Sequence, residues 1–157
     1  MITVDDYLVF VDDALDGMIE IVTALGDDLA NRRPDIPETN SPYVLLAHCL
    51  GVMEFWGGYM IAGRAFSRDR NAEFRASGDV ADLVERAELA RRKFREDLAQ
   101  FEGSAPARGT LPPTTDGLPV PMTQGNVALH VYEELAQHRG QMEGVRDVLL
   151  ASWAKVV

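Results

Sequence analysis

From Leu8 the apolar residues Val11, Leu15, Met18, Val22, Leu25 and Leu29 follow one another at intervals of three and four. That is the seam of an amphipathic helix about six turns long, and such a helix is stable only when its stripe is buried against other elements. Thr3, with Asp6 three residues on, offers a capping box at its start. Gly26, followed by the polar and proline-containing stretch 31–37, predicts an end near residue 30.

The same period returns three times. Ser41 before Pro42 sets an N-cap ahead of a proline at the first helical position, where the missing N–H costs nothing. The helix it opens is expected to reach about residue 64, with the seam Leu45, Cys49, Val52, Trp56, Tyr59 and Gly63, and with His48, Phe55 and Met60 beside it. After an Arg-rich polar loop over 66–78, Asp79 stands where it can cap a third helix with the seam Val80, Leu83, Ala87, Ala90, Phe94, Leu98 and Phe101. A fourth helix is expected over 126–153.

Between the last two, segment 103–125 carries five prolines and four glycines, which excludes a helix interior or a central strand. A connection of this length is either disordered or a cover over a site, and both readings stand. No stretch alternates as strands do. The expected fold class is therefore all-α: one domain over 1–157, a four-helix bundle whose long connection before the last helix permits a crossover topology.

Twenty-five acidic against fifteen basic residues leave a formal charge of −10, a poor match for nucleic acid. The apolar stretches are interrupted by charged residues or glycine short of the roughly 20 residues a membrane span needs, and the acidic start is unlike a signal peptide. The expectation is a cytoplasmic protein with neither a membrane nor a nucleic acid as partner. Cys49 has no intrachain partner and lies on a helix seam, so it reads as a small core hydrophobe rather than a reactive thiol. Arg64, Arg68, Arg70 and Arg75 are interleaved with Asp69 and Glu73 and read as a solvated loop.

The last helix carries the chemistry. Its inward stripe is expected at Val127, Val131, Glu134, His138, Gln141, Val145 and Val148, with two ionisable residues in the middle. A carboxylate on a buried face calls for a cation or a hydrogen-bonding partner. Residues four apart lie about 6 Å apart along a helix and about 40° around it, so Glu134 and His138 can converge on one point. His48 on the second helix offers a third ligand. Two imidazoles and one carboxylate leave coordination positions open, as in catalytic zinc sites and the facial triad of non-haem iron enzymes. His130 is one turn before Glu134 and about 12 Å from His138 along the helix, too far to share an ion with it easily. It either stands beside the ligands and faces the substrate, or replaces His138 in the set.

The run Ser41-Pro42-Tyr43-Val44-Leu45-Leu46-Ala47-His48, continuing through Phe55-Trp56 to Ala62-Gly63-Arg64, resembles the DinB/YfiT-like superfamily, as does Glu133-Glu134-Leu135-Ala136-Gln137-His138-Arg139-Gly140-Gln141. The branch it is most similar to includes the N-terminal domain of mycothiol-dependent maleylpyruvate isomerase. The resemblance spans nearly the whole chain. It implies a four-helix bundle and a divalent metal, zinc or nickel, held by a histidine of the second helix and two residues four apart on the last. In the isomerase branch that pair is glutamate and histidine, which favours His48, Glu134 and His138 over the set with His130.

Relatives of this kind include metal-dependent transferases and isomerases that use a low-molecular-weight thiol. The expected function is thus S-transfer from a mycothiol-type cosubstrate to a small electrophilic substrate. Two alternatives stand beside it: a metal-dependent hydrolase, and a non-enzymatic, stress-related metal-binding protein whose bundle pairs with a second copy as a homodimer.

Overall fold

The computed structural model describes residues 2–111 and 121–154. Its helices are α1 (Val4–Ala30), α2 (Pro42–Val52), which continues directly as a π-helical segment (Met53–Ile61), the short α3 (Arg70–Glu73), α4 (Val80–Asp97) and α5 (Gln124–Trp153). Among the described residues the only β-structure is an isolated antiparallel bridge between Pro106 and Thr123. The all-α expectation holds. α1 packs against α4 and α5, and α2 with its π continuation packs against the same two, whereas the backbones of α4 and α5 do not approach each other. Those two helices therefore stand diagonally across the bundle.

α1 begins as its sequence predicts. Thr3 Oγ1 accepts the Asp6 N–H at 3.0 Å and Asp6 Oδ2 accepts the Thr3 N–H at 2.9 Å. Gly26 does not stop the helix but kinks it, at a left-handed φ of 65° that glycine adopts without steric cost, and the helix resumes to Ala30.

α2 also opens as expected, with Ser41 Oγ accepting the Val44 N–H. In place of a single seam, all eleven of its residues are buried, because other helices surround it. By length and composition alone the run Pro42–Ile61 could cross a membrane, but most of it is buried inside this protein, as the core helix of a bundle is. The expected α-helix to residue 64 is corrected twice: winding changes to π at Met53 and stops at Ile61. A π turn holds more residues than an α turn and rotates those after it off the 3.6-residue seam. Met60 and Ile61 consequently reach the core while Gly63 is exposed.

α4 buries Val80, Leu83, Ala87, Ala90 and Phe94 as predicted, but it ends at Asp97, with Leu98 and Phe101 beyond it. Asp79 occupies the N-cap without capping. Its role is taken from a distance by Asp27 of α1, whose Oδ1 accepts the Val80 N–H at 2.8 Å.

α5 starts two residues earlier than expected, from a capping box between Thr123 and Asn126. Val127, Val131 and Val145 are buried, but Gln141 and Val148 are exposed, and Leu135, Met142 and Leu149 fill the core in their stead. A strict seven-residue repeat drifts about 20° per heptad on a straight α-helix, so after three heptads the next residue round points inward.

The described flanks of segment 103–125 are tied together by Ala107 N–H to Met122 O and Gln124 N–H to Ala105 O, both 2.9 Å, and Arg108 N–H donates to Met60 O at 2.7 Å. The expectation of a cover or of disorder falls on 112–120, outside the described residues.

Candidate metal centre

His48 projects from the buried α2, and Glu134 and His138 from successive turns of α5. Glu134 Oε2 lies 3.3 Å from His48 Nε2 and 3.4 Å from His138 Nε2. The three ligand atoms all lie within 4.8 Å of one another, a group able to hold a metal ion. The two imidazole rings meet edge to face at 5.0 Å. The centre is shielded on the α2 side, where the His48 side chain is 4% exposed, and open on the other, where Glu134 is 25% exposed.

Each imidazole has its second nitrogen occupied. His48 Nδ1 meets Glu73 Oε2 at 2.9 Å, and since a carboxylate only accepts, this nitrogen carries the hydrogen. His138 Nδ1 meets Gln141 Oε1 at 2.9 Å and donates to it in the assigned amide orientation. A neutral imidazole protonated at Nδ1 turns the lone pair of Nε2 outward. Two such lone pairs then face the Glu134 carboxylate, an arrangement that is repulsive unless a proton or a cation lies between them. Donor atoms sharing a tetrahedral ion at about 2.0–2.1 Å lie about 3.3–3.4 Å apart, which is the spacing Glu134 Oε2 keeps to each imidazole.

Without an ion, a proton on His48 between Nε2 and Glu134 is favoured. Burial disfavours a charged His48 ring, but the hydrogen bonds to Glu134 and Glu73 outweigh it and raise its pKa. Glu134 is held far below the usual carboxylate range by the hydrogen bonds from His138 and His48.

His130 faces the other oxygen of the same carboxylate, Nε2 to Glu134 Oε1 at 3.6 Å, and lies outside the three-residue group. Its Nδ1 reaches Glu133 at 3.3 Å and its ring stands edge to face on Trp56 at 4.6 Å. Of the two ligand sets open to the sequence, the geometry brings together the one with His138.

The loop over 66–78 departs most from expectation. It contains α3, capped by Asp69, and it delivers Glu73 into the interior beside His48. Arg68 is not solvated: its side chain is 15% exposed and forms a two-pronged pair with Glu73, Nε to Oε1 at 2.7 Å and Nη2 to Oε2 at 2.9 Å. Arg64 pairs in the same manner with Asp97 at 2.7 and 2.8 Å, while Arg70 and Arg75 are exposed as the loop reading has it. No ligand spacing could have revealed Glu73. The one signal was an Arg and a Glu five apart near two aromatics. Cys49 is fully buried, and burial pushes its thiol well above the ordinary range, as an inert core cysteine requires.

A family model described as DinB superfamily matches residues 11–142, a span that includes His48, His130, Glu134 and His138. The chain belongs to the DinB superfamily. Among proteins of curated function none matches it. Within this DinB bundle the matched region covers α2 and the part of α5 that carries Glu134 and His138.

Proposed function

We propose that this DinB bundle is a metal-dependent S-transferase that takes a low-molecular-weight thiol of the mycothiol type and joins its sulfur to an electrophilic carbon. The observation that carries this reading is the convergence of His48 Nε2, Glu134 Oε2 and His138 Nε2 on one point with an open side. His48, Glu134 and His138 would hold a zinc or nickel ion, which would supply Lewis acidity that favours the thiolate form of a thiol near neutral pH. The chain's own residues do the rest. Glu134 balances charge, Gln141 and Glu73 hold the imidazoles in their ligating tautomers, and His130, which faces the other oxygen of Glu134, orients a substrate. A carbon–sulfur bond forms while either the bond to a leaving group breaks and that group departs with its electron pair, or a π bond opens and its pair moves to the far atom, which takes a proton from water; the thiol proton passes to water. The Glu134 and His138 pair, four apart on the last helix, also supports the likeness to the isomerase branch.

The test uses cobalt-substituted protein. Adding mycothiol or glutathione is expected to raise a sulfur-to-cobalt charge-transfer band in the wild type and in Cys49→Ser, but not in Glu134→Ala. If no thiol perturbs the spectrum while simple esters are hydrolysed, the metal-dependent hydrolase takes the place of the transferase.

A further inference from the structure

The α2 side of the centre is assembled by a segment that contains none of the candidate ligands. Arg68, Glu73 and Phe74 all converge on His48: Glu73 by its hydrogen bond to Nδ1, Arg68 through Glu73, and Phe74 by a ring packed at 4.9 Å and 30° to the imidazole. Both Glu73 oxygens are occupied by Arg68 and His48, and the Arg68 guanidinium lies over the Phe55 ring at 5.7 Å. The approach also depends on Gly51, one turn after His48. A Cβ at that position would stand 2.2 Å from Glu73 Oε1, so any side chain there displaces the carboxylate.

We infer that Glu73 and Arg68 are positioning residues of the metal centre: Glu73 holds His48 with its Nε2 lone pair aimed at the ion, and Arg68 holds Glu73. This rests on the metal reading above. Carboxylate partners of this kind fix the tautomer and ring direction of a ligating histidine and increase its donor strength. An Arg–Glu pair meant only to pin a loop is complete without a third partner, yet here one carboxylate oxygen is shared with the imidazole. Charge points the same way. A divalent ion with Glu134 and Glu73 would be neutral, and Arg68 returns one positive charge, so the centre retains attraction for one anionic ligand such as a thiolate.

Two variants separate positioning from plain structure. Glu73→Gln keeps the shape and one acceptor oxygen but removes the charge. Gly51→Ala changes no ionisable group but denies Glu73 its place. Competition against a chromophoric chelator should show cobalt affinity lowered about 10- to 100-fold in each. Their cobalt d–d bands should shift, with helix content by circular dichroism unchanged. Asp97→Asn, which weakens a comparable ion pair away from the centre, should leave both readouts as in the wild type. Wild-type affinity and bands in Glu73→Gln would overturn the inference and leave the metal reading intact. A wild type that takes up no ion would overturn both. Should Gly51→Ala not fold, Glu73→Gln decides alone.

Discussion

Glu134 Oε2 and His48 Nε2 face each other at 3.3 Å although 86 residues of chain separate them. The acceptor and the lone pair are both aimed at one point, and His138 completes the set from the next turn of α5. Protein purified without chelator is expected to carry close to one zinc or nickel ion per chain by elemental analysis. His48→Ala and His138→Ala should each abolish it. Full retention in both variants would place the ion elsewhere.

His130→Ala should leave metal content nearly intact, because His130 addresses the opposite oxygen of Glu134 and lies outside the converging group. Loss of the ion in that variant would move the site one turn toward the start of α5.

Thermal stability of the metal-free protein should depend on pH in two directions. His48 titrates above the ordinary 6.5, since its bonds to Glu134 and Glu73 overcome burial, and Glu134 titrates below 4.5 through its bonds from His138 and His48. A raised folded-state value contributes stability that is complete below 6.5 and disappears as pH climbs through that value. A depressed one contributes stability present above 4.5 and lost as pH falls through it. The melting midpoint is therefore expected to be highest between about pH 4.5 and 6.5 and to fall on both sides. Zinc should restore the alkaline side, where it replaces the His48 proton. A metal-free midpoint that climbs steadily from about pH 6 to 8 contradicts this account.

Gly57→Ala should destabilise the bundle by about 1–3 kcal/mol in urea unfolding, the usual cost of overpacking. A Cβ there would lie 2.4 Å from the ring of Phe94, which is 1% exposed at the centre of the core. Combining Gly57→Ala with Phe94→Leu should cost less than the sum of the two single changes, because the smaller side chain relieves the clash.

Asp97→Ala should cost about 1–2 kcal/mol in the same assay. Its carboxylate is 4% exposed and holds Arg64 by two bonds, but Arg64 is 40% exposed and stays solvated when the pair is broken. The loss is smaller than the 3–5 kcal/mol of a fully buried pair for that reason.

What could be read from the sequence was local. The capping box of Thr3 and Asp6, the Ser41 and Pro42 start of α2, the seams of α1 and α4 and the four-residue step from Glu134 to His138 all follow from contacts within one or two helical turns, whose geometry is set by 3.6 residues per turn. His48 was legible as a candidate ligand because it is a histidine inside an apolar run. The bundle follows from these too, since four such stripes can be buried only against one another.

The tertiary structure decided whatever depends on neighbours distant in sequence. Asp27 caps α4 across 53 residues, and Asp79, the residue with the better local claim, does not. α2 widens to a π-helix where Gly57 and Gly58 press against Phe94 and Arg64, and its seam rotates away from the predicted one. Glu73 and Arg68 read as a solvated loop because charged residues in a polar stretch normally are, and only the close approach that Gly51 permits brings them to His48. Periodicity records which side of its own helix a residue occupies. Which other side chain waits on that side is set by the packing of the whole bundle.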